Sequence, residues 1–120
     1  MGSVVVNGGT LAPGNSIGTL NINGNLVQNG GTYQVEVNSA GQGDLINVAG
    51  SATLNGASVQ VLAQSGRYAR NTTYTILNAA GGVNGTYAGV TSNFAFLTPS
   101  LSYDANNVYL LLFQTGGAFA

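Results

Sequence analysis

Short runs in which apolar and polar residues alternate, separated by Gly and Asn, dominate this sequence and restrict it to β-structure. In residues 32–37 the apolar members are Tyr33, Val35 and Val37. The same two-residue period recurs in five further segments, at 19–23, 45–48, 52–54, 58–61 and 73–76. Such a period gives a strand one apolar face. Because Gly and Asn are poor helix formers and interrupt every long window, we expect an all-β chain.

The Asn-Gly and Gly-Gly pairs between the runs permit two interpretations. They stand at 7–9, 23–24, 29–31, 55–56, 81–82 and 84–85. Between alternating strands, Asn-Gly is a hairpin signal. In a β-solenoid, residues that tolerate positive φ are needed at the corners instead.

Two observations favour the solenoid. Similar three-residue phrases recur at 18–20, 31–33, 52–54 and 85–87, and the outward positions are uncharged Asn, Gln, Ser and Thr. Antiparallel edges usually carry charged residues that prevent pairing with neighbours. We therefore predict a parallel β-helix of about five coils, each of roughly 20–25 residues. An antiparallel sandwich remains the alternative.

The near-absence of charge excludes several functions. The chain has two basic and three acidic residues, a net charge of −1, and no His or Cys. It offers no basic surface for nucleic acid, and without His its Ser residues cannot form a hydrolytic triad. No apolar run is long enough to span a bilayer as a helix. We predict no catalytic, cofactor-binding or metal site.

Three carboxylates and two arginines are the only candidates for chemistry. A glycosidase needs two carboxylates about 5–10 Å apart across a cleft, and Glu36 and Asp44 are close enough in sequence to meet. The structural interpretation, a surface Glu36, a corner Asp44 and a hairpin-turn Asp104, is favoured. Arg67 and Arg70 are expected to be solvated in a loop.

The C-terminal third differs in composition. Nine of the ten aromatic residues lie from Tyr68 onward, and apolar runs flank the turn-rich segment 104–107. Large aromatic residues bury much surface, so we predict an antiparallel hairpin that caps the aliphatic stack. The residues predicted to form the folding core and cap are Leu54, Val59, Val61, Tyr74, Ile76, Phe94, Phe96, Tyr103, Tyr109 and Leu111.

These features divide the chain into four parts. Residues 1–3 are interpreted as an added start, 4–66 as aliphatic coils, and 67–113 as the final coil or coils with the aromatic hairpin. Residues 114–120 form a Gly/Ala-rich tail. The N-terminal end begins in mid-pattern and carries no cap, as a truncated solenoid would.

Six segments, which together span most of the chain, carry a resemblance to a known family. They are GTLAPGNSIGTL at 9–20, GDLINVAGSATLNG at 43–56, TYTILNAAGGVNGTY at 73–87, SNFAFLTP at 92–99, LSYD at 101–104 and NVYL at 107–110. In this order they resemble the C-terminal, pertactin-like passenger region of Gram-negative autotransporters, called the autochaperone or junction region.

The resemblance implies a single-stranded, right-handed β-helix that ends in a hairpin cap, ahead of a linker and an outer-membrane β-barrel that this sequence lacks. It also implies a non-enzymatic module that nucleates folding of the passenger during type V secretion, with no cofactor. The expected partners are upstream coils and the barrel of the same polypeptide. The expected location is secreted or on the bacterial cell surface. An adhesive or self-associating segment, pairing through its open end, is the alternative function.

Overall fold

The alternating runs form β-strands throughout. The structure is a computed structural model that describes residues 2–12 and 17–114, and within these ranges it contains thirteen strands and no helix. In chain order the strands are β1 (Val4–Asn7), β2 (Thr10–Leu11), β3 (Thr19–Ile22), β4 (Leu26–Asn29), β5 (Thr32–Val37), β6 (Leu45–Val48), β7 (Ala52–Asn55), β8 (Ser58–Ala63), β9 (Asn71–Ala79), β10 (Val83–Thr86), β11 (Gly89–Ser92), β12 (Leu97–Tyr103) and β13 (Asn107–Gln114).

The strands form three sheets, here called faces A, B and C. Face A contains β1, β4, β7 and β10, and face B contains β2, β5, β8 and β11. Face C contains β3, β6 and β9, extended by β13 and β12. The chain visits the faces in the order A, B, C and then returns to A beside the strand it left. Pairing between successive visits is parallel, which agrees with the all-β prediction and is compatible with a parallel β-helix.

Successive coils lengthen along the chain. On face A, Val4 pairs with Leu26, 22 positions later, and Leu26 pairs with Ala52, 26 positions later. Ala52 then pairs with Val83, 31 positions later. The expected count of about five coils is not confirmed: the described ranges contain three complete passes and a fourth that supplies β10 and β11.

Four of the five Asn-Gly pairs lie at corners between faces, whereas Asn84-Gly85 lies within β10. Asn29-Gly30 separates β4 from β5, which belong to different faces, so the competing interpretation of this pair as a hairpin is wrong. Gly30 and Gly31 adopt φ of 71° and 76°, a region that side chains disfavour. A Cβ at Gly31 would also collide with the carbonyl oxygen of Gly9 in the preceding coil. Gly is therefore needed there for both its backbone and its lack of a side chain.

The parallel order ends at the C-terminal side. Strand β13 pairs antiparallel with β9, and β12 pairs antiparallel with β13 across the turn at 104–106. Gln114, which the sequence places in the tail, is the last residue of β13. The remaining tail, 115–120, and Met1 lie outside the described residues. In the part of the chain that is described, no helix qualifies as a membrane span.

Candidate folding site

The residues predicted for the core and cap occupy three environments. Five of them are buried, namely Leu54, Val59, Val61, Tyr74 and Ile76. Phe94, Phe96 and Tyr103 are partly buried and pack against the core. The rings of Phe94 and Phe96 stack with their centroids 5.3 Å apart. The last two, Tyr109 and Leu111, lie on the outward side of β13.

The assignment of Leu111 to the core is wrong. Its side chain is 37% exposed, whereas Val108, Leu110 and Leu112 on the same strand are buried. Because neighbouring side chains of a strand point to opposite sides, only one of the two sets can face the stack. The odd-numbered set, Tyr109, Leu111 and Phe113, forms an outward stripe that is at least partly accessible.

A buried polar cluster, which sequence reasoning missed, connects the hairpin to the second coil. The Tyr87 hydroxyl donates to Oε1 of Gln28 at 2.8 Å, and both residues are buried. The backbone N–H of Tyr87 in turn donates to the hydroxyl of Tyr103 on β12, at 3.0 Å. Gln28 belongs to β4 in the second coil, and Tyr103 belongs to β12 in the hairpin. Tyr87 therefore links two strands that lie far apart in the sequence.

Tyr33 completes the cluster. Its ring lies 6.4 Å from that of Tyr87, and its hydroxyl donates to the carbonyl oxygen of Ile76 at 2.7 Å. Burial, followed by the proximity of Tyr87 and Asp44, raises the pKa of Tyr33 well above its ordinary value. Burial, and secondarily Tyr103, likewise raises the pKa of Tyr87. Both phenols therefore stay neutral and serve as hydrogen-bond donors.

Asp44 fastens the corner between faces B and C. Its carboxylate accepts the backbone N–H of Gly18 at 2.7 Å and that of Glu36 at 2.9 Å, and the side chain is 1% exposed. A buried carboxylate held by two backbone donors cannot also face a substrate. The structure thus favours the structural interpretation of Asp44 over its use in a glycosidase pair.

Of the remaining charged candidates, Glu36 is half-buried on β5, while Arg67, Arg70 and Asp104 are exposed. Asp104 sits in the hairpin turn, where its Oδ2 accepts the Tyr109 hydroxyl at 2.7 Å and its Oδ1 accepts the N–H of Asn106 at 2.9 Å. Arg67 and Arg70 are exposed in the loop before β9, as expected. Within the described ranges no three metal-binding side chains come together.

Uncharged side chains form ladders along the coils. At the corner between faces A and B, Asn29 Nδ2 donates to Asn7 Oδ1 and Asn55 Nδ2 donates to Asn29 Oδ1, both at 2.8 Å. On face B, Gln34 donates to Gln60 at 2.9 Å. Each ladder repeats the strand register on the outside of the stack.

The two ends of the stack differ. At the C-terminal end, face C is extended by the antiparallel strands β13 and β12, while β10 and β11 are the edge strands of faces A and B. At the N-terminal end, β1, β2 and β3 each pair on one side only within the described residues. The apolar residues of this first coil are correspondingly less covered, with Val4, Val6 and Leu11 only partly buried.

Comparison with known proteins gives one informative similarity. No protein-family model matches the chain. The chain is 35% identical to an extracellular serine protease of Serratia marcescens over 121 aligned positions. The alignment takes in 92% of the chain but only 12% of that protein's length. The similarity therefore concerns a small segment of a secreted protein.

Proposed function

We propose that the chain is a non-enzymatic folding module from the C-terminal end of an autotransporter passenger. The observation that carries the proposal lies on face C: the antiparallel strands β13 and β12 follow β9 at one end, whereas the parallel strand β3 is the edge at the other. Faces A and B have parallel edge strands at both ends. In a solenoid each coil contacts only its neighbours, so a stable terminal unit with one open edge can template the next coil. Similarity to a segment of a secreted protein supports the assignment.

In this proposal the coils form a right-handed β-helix, and β12 and β13 act as its cap. Right-handed crossovers are the strong preference of parallel β-connections. The passenger coils upstream and the outer-membrane barrel downstream are the partners, all within one polypeptide. When a passenger emerges with this end first, a folded strand edge is already present as the next coil emerges. Pairing with this edge lowers the entropic cost of forming long-range strand pairs.

A segment exchange tests the role. The aligned region of the Serratia protein is replaced by residues 4–114 of this chain, and the amount of protease-resistant passenger at the cell surface is measured. We expect the exchanged protein to give folded, protease-resistant passenger at the cell surface. The same exchange with Leu110→Ala should give less of it, because Leu110 is buried in the hairpin. Leu111→Ala, on the exposed side of the same strand, is the matched control. An exchange that gives no more folded passenger than deletion of the segment would contradict the role.

One observation favours the alternative, a self-associating surface segment. Leu111 and Phe113 are 37% and 42% exposed on face C, and Val5 is 59% exposed on face A. Exposed apolar side chains on an uncharged surface favour association. Sedimentation of the chain at increasing concentration would reveal oligomers, and Phe113→Ser should weaken them if that alternative holds.

A further inference from the structure

We propose that Asn7 sets the register of the strand that pairs with the open N-terminal edge. The partner that fits this edge is a parallel β-strand that ends in Asn and is followed by Gly. The inference rests on the proposed templating function and names the residue whose side chain hydrogen-bonds to the coil that is added.

The geometry of the Asn ladder carries this inference. Asn29 and Asn55 each donate Nδ2 toward the preceding coil, at 2.8 Å in both cases. Asn7 accepts from Asn29 through Oδ1, and its own Nδ2 has no partner among the described residues. The ladder therefore points a spare donor toward the position that a preceding coil would occupy.

The corner fixes the direction of that donor. Asn7, Asn29 and Asn55 are each followed by a Gly with φ between 71° and 80°. In the fourth layer the residue aligned with Asn55 is Thr86, which has no side-chain amide. The amide ladder thus ends on the capped side and stays open on the N-terminal side.

Hydrophobic burial alone cannot choose the register at this edge. A slip of one residue would turn every apolar side chain outward, but a slip of two would keep the same face inward. The first strand is a run of Val4, Val5 and Val6, which distinguishes such slips poorly. A hydrogen bond at the Asn7 corner is lost in any slip. It therefore distinguishes the correct register from a slip of two residues, which apolar contacts do not.

The test extends the full chain by a second copy of residues 4–25, inserted directly before Val4. This puts the copied Asn 22 positions ahead of Asn7, the spacing that separates Asn7 from Asn29. The chain has no Cys, so Val5→Cys paired with Cys at the copied Val5 reports correct register through disulfide yield. Ser3→Cys, combined with the same Val5→Cys, reports a slip of two residues, because Ser3 directly precedes the copy.

Two Asp variants separate donor from acceptor. Asn7→Asp keeps the acceptor that Asn29 uses and removes the donor, so we expect the ratio of in-register to slipped disulfide to fall about fivefold, the effect of one hydrogen bond. Asp at the copied Asn keeps an acceptor for Nδ2 of Asn7 and should change the ratio less than twofold. Equal ratios in both variants and the parent would overturn the role of Asn7. An added coil that gives no disulfide in either register would overturn the templating function as well.

Discussion

Gln28 and Asp44 place hydrogen-bonding groups inside a core that is otherwise aliphatic and aromatic. Each is held by a specific partner: Gln28 by the Tyr87 hydroxyl, and Asp44 by two backbone N–H groups. Nε2 of Gln28 is buried without a partner among the described residues. The hydrogen bond from the Tyr87 hydroxyl to Oε1 is therefore the one that offsets the cost of burying the Gln28 side chain. Sequence reasoning could not find this cluster, because a lone Gln in a polar-rich chain gives no sign that it points inward.

Removing the Tyr87 hydroxyl should destabilise the fold. Tyr87→Phe leaves both ends of the buried Gln28 amide unpaired, and we expect a loss of about 1–3 kcal/mol in the free energy of unfolding. Adding Gln28→Leu should restore most of it, because an apolar pair needs no hydrogen bond. Urea unfolding of the two single variants and the double variant measures this coupling.

Tyr74→Phe is the matched control, since its hydroxyl donates to a partly exposed carbonyl, that of Asn38, which water can satisfy. Additive losses in the double variant would contradict the importance of the Tyr87–Gln28 bond.

The hairpin turn should lose stability in acid. The Tyr109 hydroxyl, and then the N–H of Asn106, lower the pKa of Asp104 below its ordinary value of 3.8. Because the pKa is lower in the folded chain, the turn's stabilisation is present above pH 3.8 and is lost as the pH falls through the folded-state pKa. Tyr109→Phe should therefore raise the pKa of Asp104 toward 3.8, measured by carboxyl-carbon NMR titration.

Tyr103→Phe is the control for this titration, because its hydroxyl bonds to Tyr87 and not to Asp104. An unchanged pKa in Tyr109→Phe would show that the phenol does not stabilise the carboxylate.

At the scale of the element, strands with clean alternation could be predicted from sequence and uniformly apolar strands could not. In β5, Tyr33, Val35 and Val37 are buried as their period indicates. In β13, residues 108–113 are all apolar, so the pattern carries no phase and does not show that Leu111 faces outward. The phase there is set by pairing with β9 and β12, which the local sequence does not encode.

The two faces of β13 should respond differently to truncation. Leu110→Ala removes a fully buried side chain and should cost about 2–5 kcal/mol. Leu111→Ala removes a side chain that is 37% exposed and should cost about 0.5 kcal/mol. Thermal unfolding of both variants compares them within one strand. Equal losses would contradict the observed phase of β13.

At the scale of the whole molecule, the class of fold follows from the sequence, while the length of each coil does not. Uncharged outward residues and recurrent Gly-Thr phrases indicated stacked parallel strands, and the three faces agree. The first coil, of 22 residues, fits the expected repeat, but the next two, of 26 and 31 residues, exceed it. The connections between faces keep the same length in each coil: two residues from A to B, seven from B to C and three from C to A. The extra residues lie in longer strands, because β5 exceeds β2 by four residues and β9 exceeds β6 by five.

The proposed folding role requires the molecule to fold without further coils. Long-range strand pairs hold the stack, and the hairpin joins layers that are far apart in sequence, so we expect the 120-residue chain to behave as one cooperative unit.

Reversible urea unfolding, followed by circular dichroism and tyrosine fluorescence, tests this most directly. We expect a single β-type transition that coincides in both probes, with full recovery on dilution. A chain that lacks β-structure in buffer, or that unfolds without a cooperative transition, would contradict the proposal that it nucleates the coils upstream.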